Sequence, residues 1–258
     1  GLGDVYKRQV SLVAAKRIIL NKTEELQRII AGRDKLYSVI AHDLRSPMGS
    51  IKMVLNMLML NLPVEKIGGE MYELLTMANR TTEDVFSLLD NLLKWTKSQI
   101  GNLNVVYQDV DAVEVVDSVI DVFNMVAGLK KITIREEKPE KLPVCTDIDM
   151  LKTIIRNLLS NAIKFSNENS EVLVKMEEQG DTVVVSVKDS GCGIDEEGQQ
   201  KLLHTDTHFS TFGTNNEEGS GLGLLLCQDF AVKIGGKLWF TSKEGEGSTF
   251  YFSIPLKK

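Results

Sequence analysis

The chain has 258 residues, enough for one large domain or two modest ones with real cores. Hydrophobic residues make up 43% and charged residues 26%, and the net charge of −6 argues against an electrostatic nucleic-acid footprint. Three cysteines, Cys145, Cys192 and Cys227, have neither zinc-site spacing nor the density of a disulfide framework, which fits a reducing compartment. No apolar run reaches the roughly 18–20 residues that span a bilayer; Val10 to Leu20 is broken by Lys16 and Arg17. No signal peptide is visible, so a cytoplasmic chain is expected, with membrane attachment only through segments outside this sequence.

Gly1 to Gln9 read as adapter residues and are set apart from the fold. Leu12, Ile19, Leu26 and Ile29 then suggest a helical connector, so residues 1–33 are taken as adapter plus signalling linker. Two long helices follow. In the first, Leu36, Ile40, Leu44, Ile51, Val54 and Leu58, with Pro47, mark a heptad seam. In the second, Leu74, Ala78, Thr81, Val85, Leu88, Leu92 and Trp95 alternate by four and three. Leu62-Pro63 and Gly68-Gly69 punctuate a turn between them. Residues 34–100 therefore predict an antiparallel helical hairpin of roughly 28–30 residues per arm. Met53, Met57, Met59, Leu75, Met77 and Phe86 widen its apolar stripe, a surplus best buried by a second copy in a four-helix bundle.

After Gly101 the texture becomes mixed, and residues 101–258 predict a two-layer α/β sandwich, making the whole chain α+β. Strands are expected at Asn104–Val110, Ile132–Arg135, Val172–Glu178, Thr182–Asp189, Lys237–Thr241 and Ser248–Ile254, the last two joined through Gly245 and Gly247. Helices are expected at Val113–Val126, Asp149–Ser166 (capped by Asp147 or Asp149) and Leu222–Ile234. Val183, Val185 and Val187 alternate with Thr182, Val184, Ser186 and Lys188, as in a sheet covered by helices on one side.

Two regions carry chemistry. His42 lies two residues from both Ile40 and Leu44, roughly 200° around the helix from them, so its imidazole is expected to face solvent with the Asp43 carboxylate beside it. The acid can hold one ring N–H and leave the other nitrogen a free lone pair for nucleophilic attack. Further on, Asn157, Asn161 and Lys164 are spaced to project from one helix face, while Leu158, Leu159, Ile163 and Phe165 supply a separate core set. Two amides and an ammonium suit a divalent cation and the phosphates it bridges. Asp189-Ser190-Gly191-Cys192-Gly193-Ile194 follows a strand; its glycines admit close backbone approach and its acid can accept from an exocyclic amine. Gly219-Ser220-Gly221-Leu222-Gly223 opens the next helix, where unpaired N–H groups and the positive dipole end suit phosphate.

This ordered set resembles the histidine kinases of two-component systems over residues 34–258, and Asn-Leu-Leu-Ser-Asn-Ala-Ile-Lys-Phe-Ser is close to the family's common form. The hairpin resembles the dimerisation and phosphoacceptor domain, and the sandwich resembles the Bergerat-fold ATP-binding domain, shared with topoisomerase, mismatch-repair and chaperone ATPases. The resemblance implies a homodimeric enzyme that moves phosphate from ATP to His42, with Asp43 as acid-base neighbour, and then to an aspartate on a response regulator. It implies that Asn161 binds Mg²⁺ with Asn157 close by, that Lys164 contacts phosphate, and that Asp189 reads the adenine amine. Gly191, Gly193, Gly219, Gly221, Leu222 and Gly223 would shape the nucleotide pocket, and Thr205 to Glu218 would be the ATP lid. Hydrolysing relatives carry a glutamate where this chain has Asn157, which cannot take a proton from water at neutral pH.

Two positions depart from the family pattern. A phenylalanine usual before the lid is replaced by Leu203, with Phe209 further on. Ser46 stands three residues after the acid, where phosphatase-active members place Thr or Asn, so dephosphorylation of the partner turns on that hydroxyl. His204 and His208 read as solvated lid residues, Trp95 and Trp239 as packing residues, and Cys192 as structural. The alternative is a nucleotide-gated scaffold that binds ATP and a partner without transfer; the intact His42-Asp43 pair argues against it and Leu203 for it. Stimulus, regulator identity and the choice between transfer within or between protomers lie outside the sequence.

Overall fold

The structure, a computed structural model, describes residues 2–61, 68–99, 104–202, 213–214 and 222–256. The chain divides into two units, residues 1–79 with 92–103 and residues 80–91 with 104–258. None of the described helices is long and apolar enough to cross a membrane.

Helix α1 (Leu2–Asn61) has 60 residues and a length of roughly 90 Å. It begins at Leu2, so the residues set apart as adapter continue the helix. Pro47 lies inside α1 and lacks the N–H that would bond to the Asp43 carbonyl four residues back, one turn after His42. Helix α2 (Gly69–Gln99) has 31 residues; the turn expected before it at Leu62-Pro63 lies outside the described residues. The heptad periodicity is present in both helices, but on α1 the shielded stripe is not the expected one. Ile40, Leu44, Ile51, Val54, Leu58 and Leu74 are between 37% and 57% exposed. On α1 the half-buried positions lie one residue further along, at Arg45, Met48, Lys52, Leu55 and Met59; on α2 the expected Val85, Leu88, Leu92 and Trp95 are themselves half-buried, beside buried Leu93 and Thr96. A shift of one residue rotates the stripe by about 100°. On α1 the more apolar stripe is therefore the more exposed one.

The second unit carries strands β1 (Gln108–Asp111), β2 (Thr133–Glu137), β3 (Pro143–Thr146), β4 (Glu171–Gln179), β5 (Thr182–Lys188), β6 (Leu238–Lys243) and β7 (Gly247–Pro255). Its helices are α3 (Ala112–Leu129), α4 (Ile148–Phe165), the short α5 (Glu196–Lys201) and α6 (Leu222–Lys233). Five strands form a mixed sheet in the order β2-β4-β5-β7-β6, with β2 parallel to β4 and the other pairs antiparallel. A separate antiparallel pair joins β1 to β3, a four-residue strand opened by Pro143 that the sequence reading does not anticipate. β1 is confined to Gln108–Asp111, since that is all β3 can pair with.

One face of the large sheet forms the core with the helices. Val172, Val174 and Met176, then Val183, Val185 and Val187, then Phe250, Phe252 and Ile254 are buried in register across three strands. Leu151, Ile154, Ile155, Leu158, Leu159, Leu226 and Phe230 bury the facing sides of α4 and α6. Alternate positions such as Lys175, Ser186 and Tyr251 stay partly open, which is the two-layer pattern; Val184, buried at 5%, is an exception on that face. Trp239 stacks on Tyr251 at 5.4 Å with Lys237 over its ring, a packing role as expected.

Asp147, rather than Asp149, caps α4. Its Oδ1 accepts from the N–H groups of Asp149 and Met150 at 3.0 Å, while its Oδ2 accepts from Val106 N–H at 2.9 Å. This one carboxylate fixes the start of the helix that carries the polar face and ties it to the chain entering the unit.

Candidate functional site

Helix α4 runs from the Asp147 cap to Ser166 and presents Asn157, Asn161 and Lys164 on its half-buried side, separate from its buried Leu158, Leu159 and Ala162. Asn157 Nδ2 donates to its own helix at the Thr153 carbonyl, 2.9 Å away. Its Oδ1 lies 2.8 Å from where a Cβ on Gly223 would stand. A side chain at 223 would push the Asn157 amide aside, so glycine lets the first turn of α6 lie against that amide in its present orientation. The Asn161 amide makes no hydrogen bond among the described residues and is free to take a ligand. Lys164 places its ammonium over the Phe165 ring at 4.8 Å.

The far end of α4 meets the Asp189 loop. Ser166 forms a bridge with Gly191, and a Cβ on Gly191 would fall 2.1 Å from the Phe165 carbonyl oxygen. Asp189 is 4% exposed, and its Oδ1 accepts from Gly191 N–H at 3.0 Å and from Ser248 N–H at 3.1 Å. Oδ2 has no donor among the described residues. Burial pushes the Asp189 carboxyl above the usual carboxylate range, and the two N–H groups offset part of that rise. The result is a carboxylate locked through one oxygen, with the other left for a ligand.

Across the loop, Gly193 (φ +67°) passes so close to β6 that a Cβ would lie 2.0 Å from the Lys243 carbonyl. Ile194 N–H donates to Ser242 Oγ at 2.9 Å, and Ser242 Oγ meets Ser248 Oγ at 2.8 Å. Gly247 (φ +95°) would place a Cβ 2.3 Å from the Asp189 carbonyl oxygen. The sequence reading assigned Gly245 and Gly247 only a turn. Gly247 also lets β7 approach Asp189 and aim the Ser248 N–H at it, and a glycine at the very start of a strand is the signal that was available.

Of the expected site residues, the sandwich brings together Asn157 and Gly223 at one place, and Asp189, Gly191 and the end of α4 at another. Leu222 is half-buried at the start of α6. Gly219 and Gly221, the segment Thr205 to Glu218 apart from Gly213 and Thr214, and Leu203, His204, His208 and Phe209 lie outside the described residues. So does the His42 side chain, although His42 is within α1; Asp43 and Ser46 beside it are exposed. Among the described residues no cluster of three or more His, Cys, Asp or Glu could hold a metal unaided. Cys192 is exposed and Cys227 is buried, its thiol pushed well above the ordinary range by burial.

A feature that sequence reasoning missed is Lys130, at the C-cap of α3. It is 7% exposed, and its Nζ donates to the carbonyls of Ile163 (3.1 Å), Lys164 (2.9 Å) and Ser166 (3.4 Å) and to Thr214 Oγ1 (2.7 Å). Nothing in local composition distinguishes it from Lys131.

Residues 146–258 match the family model described as histidine kinase-, DNA gyrase B- and HSP90-like ATPase. The adaptive-response sensory kinase SasA of Crocosphaera subtropica is 29% identical over 90% of this chain and 62% of its own length. The chain thus spans about three fifths of that relative. The catalytic domain of histidine kinase ThkA superposes with a TM-score of 0.52 at 31% identity, covering 58% of this chain and 96% of that one. Full-length ShkA, solved with AMPPNP, gives a TM-score of 0.66 at 21% identity over 87% of this chain and 46% of that chain, a likeness of fold.

Proposed function

Because the chain belongs to the sensor histidine kinases, we propose that it binds ATP in the sandwich and transfers the γ-phosphate to His42 of a dimeric helical domain. The observation that carries this reading is the Asp189 carboxylate, locked through Oδ1 and open at Oδ2, on a loop bridged to the same helix that presents Asn157, Asn161 and Lys164. An acceptor oxygen at one end and amide and ammonium groups along the adjoining helix match the two ends of a nucleoside triphosphate. Asp189 Oδ2 accepts from the adenine amine, Lys164 neutralises phosphate charge, and Asn157 supports the first turn of α6, where Gly219, Gly221, Leu222 and Gly223 shape the pocket with Gly191 and Gly193.

Mg²⁺ fits this donor set: Asn161 offers an unengaged amide oxygen and the phosphates supply the remaining ligands, which suits a cation that prefers oxygen and keeps waters. Bound there, it would neutralise charge on the triphosphate.

One imidazole nitrogen of His42 attacks the γ-phosphorus in line. The N–P bond forms as the bond to the β–γ bridging oxygen breaks, and ADP leaves with that oxygen. Asp43 orients the ring and receives its proton. The rate gain is mostly positioning and charge neutralisation. The phosphoryl group passes next to an aspartate carboxylate of a separate response-regulator domain, in the cytoplasm. The exposed stripe Ile40, Leu44, Ile51, Val54, Leu58 and Leu74 gives a second copy an apolar face to cover, closing a four-helix bundle. Ser46, exposed one turn after His42, is the position at which removal of phosphate from the regulator is decided. Hairpin and sandwich, 34–100 and 101–258, are separate working parts, with 1–33 as the signalling linker. A chain that binds ATP and takes no label would instead be a nucleotide-gated scaffold. Incubation with γ-labelled ATP tests the reading: an acid-labile, base-stable label is expected, and its absence from the intact chain would refute transfer.

A further inference from the structure

Lys130 gathers contacts that no ordinary C-cap requires. Helix α3 ends with the N–H groups of Lys131 and Ile132 donating back to Gly128 (3.0 Å) and Ala127 (2.9 Å), and Lys131 takes the left-handed conformation at φ 56°. This turn buries the neighbouring Lys130 against a different helix. An ammonium has three donors, and here four acceptors share them: the carbonyls of Ile163 and Lys164 in the last turn of α4, that of its C-cap Ser166, and the Thr214 hydroxyl. A cation among the terminal carbonyls of α4 also lies at the negative end of that helix's dipole.

Thr214 is bound to the same place independently of Lys130. Its N–H donates to the Lys164 carbonyl at 3.2 Å, and its hydroxyl meets the Ser166 carbonyl at 2.8 Å. Both partners thus hold the carbonyls of Lys164 and Ser166, on either side of Phe165, and Lys164 is the one of these two whose side chain the nucleotide reading assigns to the phosphates. Asp189, by contrast, is fixed by Gly191 and Ser248 N–H groups that Lys130 does not touch.

We propose that Lys130 is a positioning residue of the nucleotide site, clamping the last turn of α4 and Thr214 together so that Lys164 is presented to the phosphates. It rests on the nucleotide-binding reading above and adds a requirement specific to the phosphate end. The experiment is calorimetric titration of the full chain with Mg·ATP and, separately, with adenosine. The variants are Lys130→Met, which keeps the stem and removes the ammonium, and Thr214→Val, which removes the hydroxyl. In Lys130→Met, ATP affinity is expected to fall about tenfold while adenosine affinity stays within about twofold. Thr214→Val should lose about threefold for ATP alone, and the double variant should be no weaker than Lys130→Met. Unchanged ATP affinity in both variants, or equal losses for ATP and adenosine, would overturn the clamp and leave the nucleotide reading standing. If Lys130→Met does not fold, Thr214→Val decides: selective loss for ATP supports the clamp, and no change overturns it. A wild-type chain that binds neither ligand would overturn the nucleotide reading and the clamp with it.

Discussion

The long helices and the sandwich are built from similar amounts of Leu, Ile and Val, yet they treat that surface differently. The sandwich closes its apolar rows on itself, with Leu151, Leu159, Val172, Val183, Val185 and Phe252 fully buried. Helix α1 leaves Ile51 at 47% and Val54 at 56% exposed while half-shielding Arg45 and Lys52 one residue further on. A domain that buries its best residues folds by itself; a helix that presents them is made for a partner.

The largest expected effect tests this contrast on stability. Leu159→Ala should cost the chain about 3 kcal/mol in urea unfolding, because its cavity opens in a closed core. Leu74→Ala should cost under about 1 kcal/mol in the dilute monomer, since that residue is already 57% exposed. Equal costs would break the comparison. Next, Asp189→Asn should lower ATP affinity about 100-fold, or about 2.7 kcal/mol, because it turns a donor toward the adenine amine where an acceptor is needed.

The same variant should leave the ligand-free sandwich no less stable at neutral pH. The Asp189 carboxyl is raised above its unfolded value, so the native state holds its proton longer. Its contribution to stability is complete below the unfolded value near pH 3.9 and is lost as pH rises through the raised folded value. Asp189→Asn should remove that decline from the stability–pH curve; a steeper decline would contradict the burial account. For the helices, Ile51→Glu with Val54→Glu should shift sedimentation from dimer to monomer without moving the sandwich's adenosine affinity. The smallest effect concerns Lys131, left-handed at φ 56°. Lys131→Gly should stabilise the chain by up to about 1 kcal/mol, read as a small rise in melting temperature.

Much of the sandwich was legible because its signals are local. The Asp147 cap, the alternation in Val183 to Val187 and the spacing of Asn157, Asn161 and Lys164 each depend on neighbours a few residues away. The Asp189 and Gly191 pair was legible for the same reason. What escaped depends on distant partners: β3 is four residues whose strand character comes only from pairing with β1, and Lys130 acquires its role from carbonyls 33 to 36 residues later and a hydroxyl 84 residues later. The heptad seam shows a third case. The period of four and three was right, but periodicity fixes a spacing and leaves the phase to be chosen. On α1 the more apolar phase was taken as the seam, whereas the structure half-buries the phase one residue later; on α2 the expected Val85, Leu88, Leu92 and Trp95 are half-buried.

The measurement that bears most directly on the central claim is labelling of the intact chain with γ-labelled ATP beside His42→Ala. Transfer to the imidazole predicts an acid-labile, base-stable label on the intact chain and none above background in the variant, while both bind ATP equally. Equal labelling of the two would contradict the account.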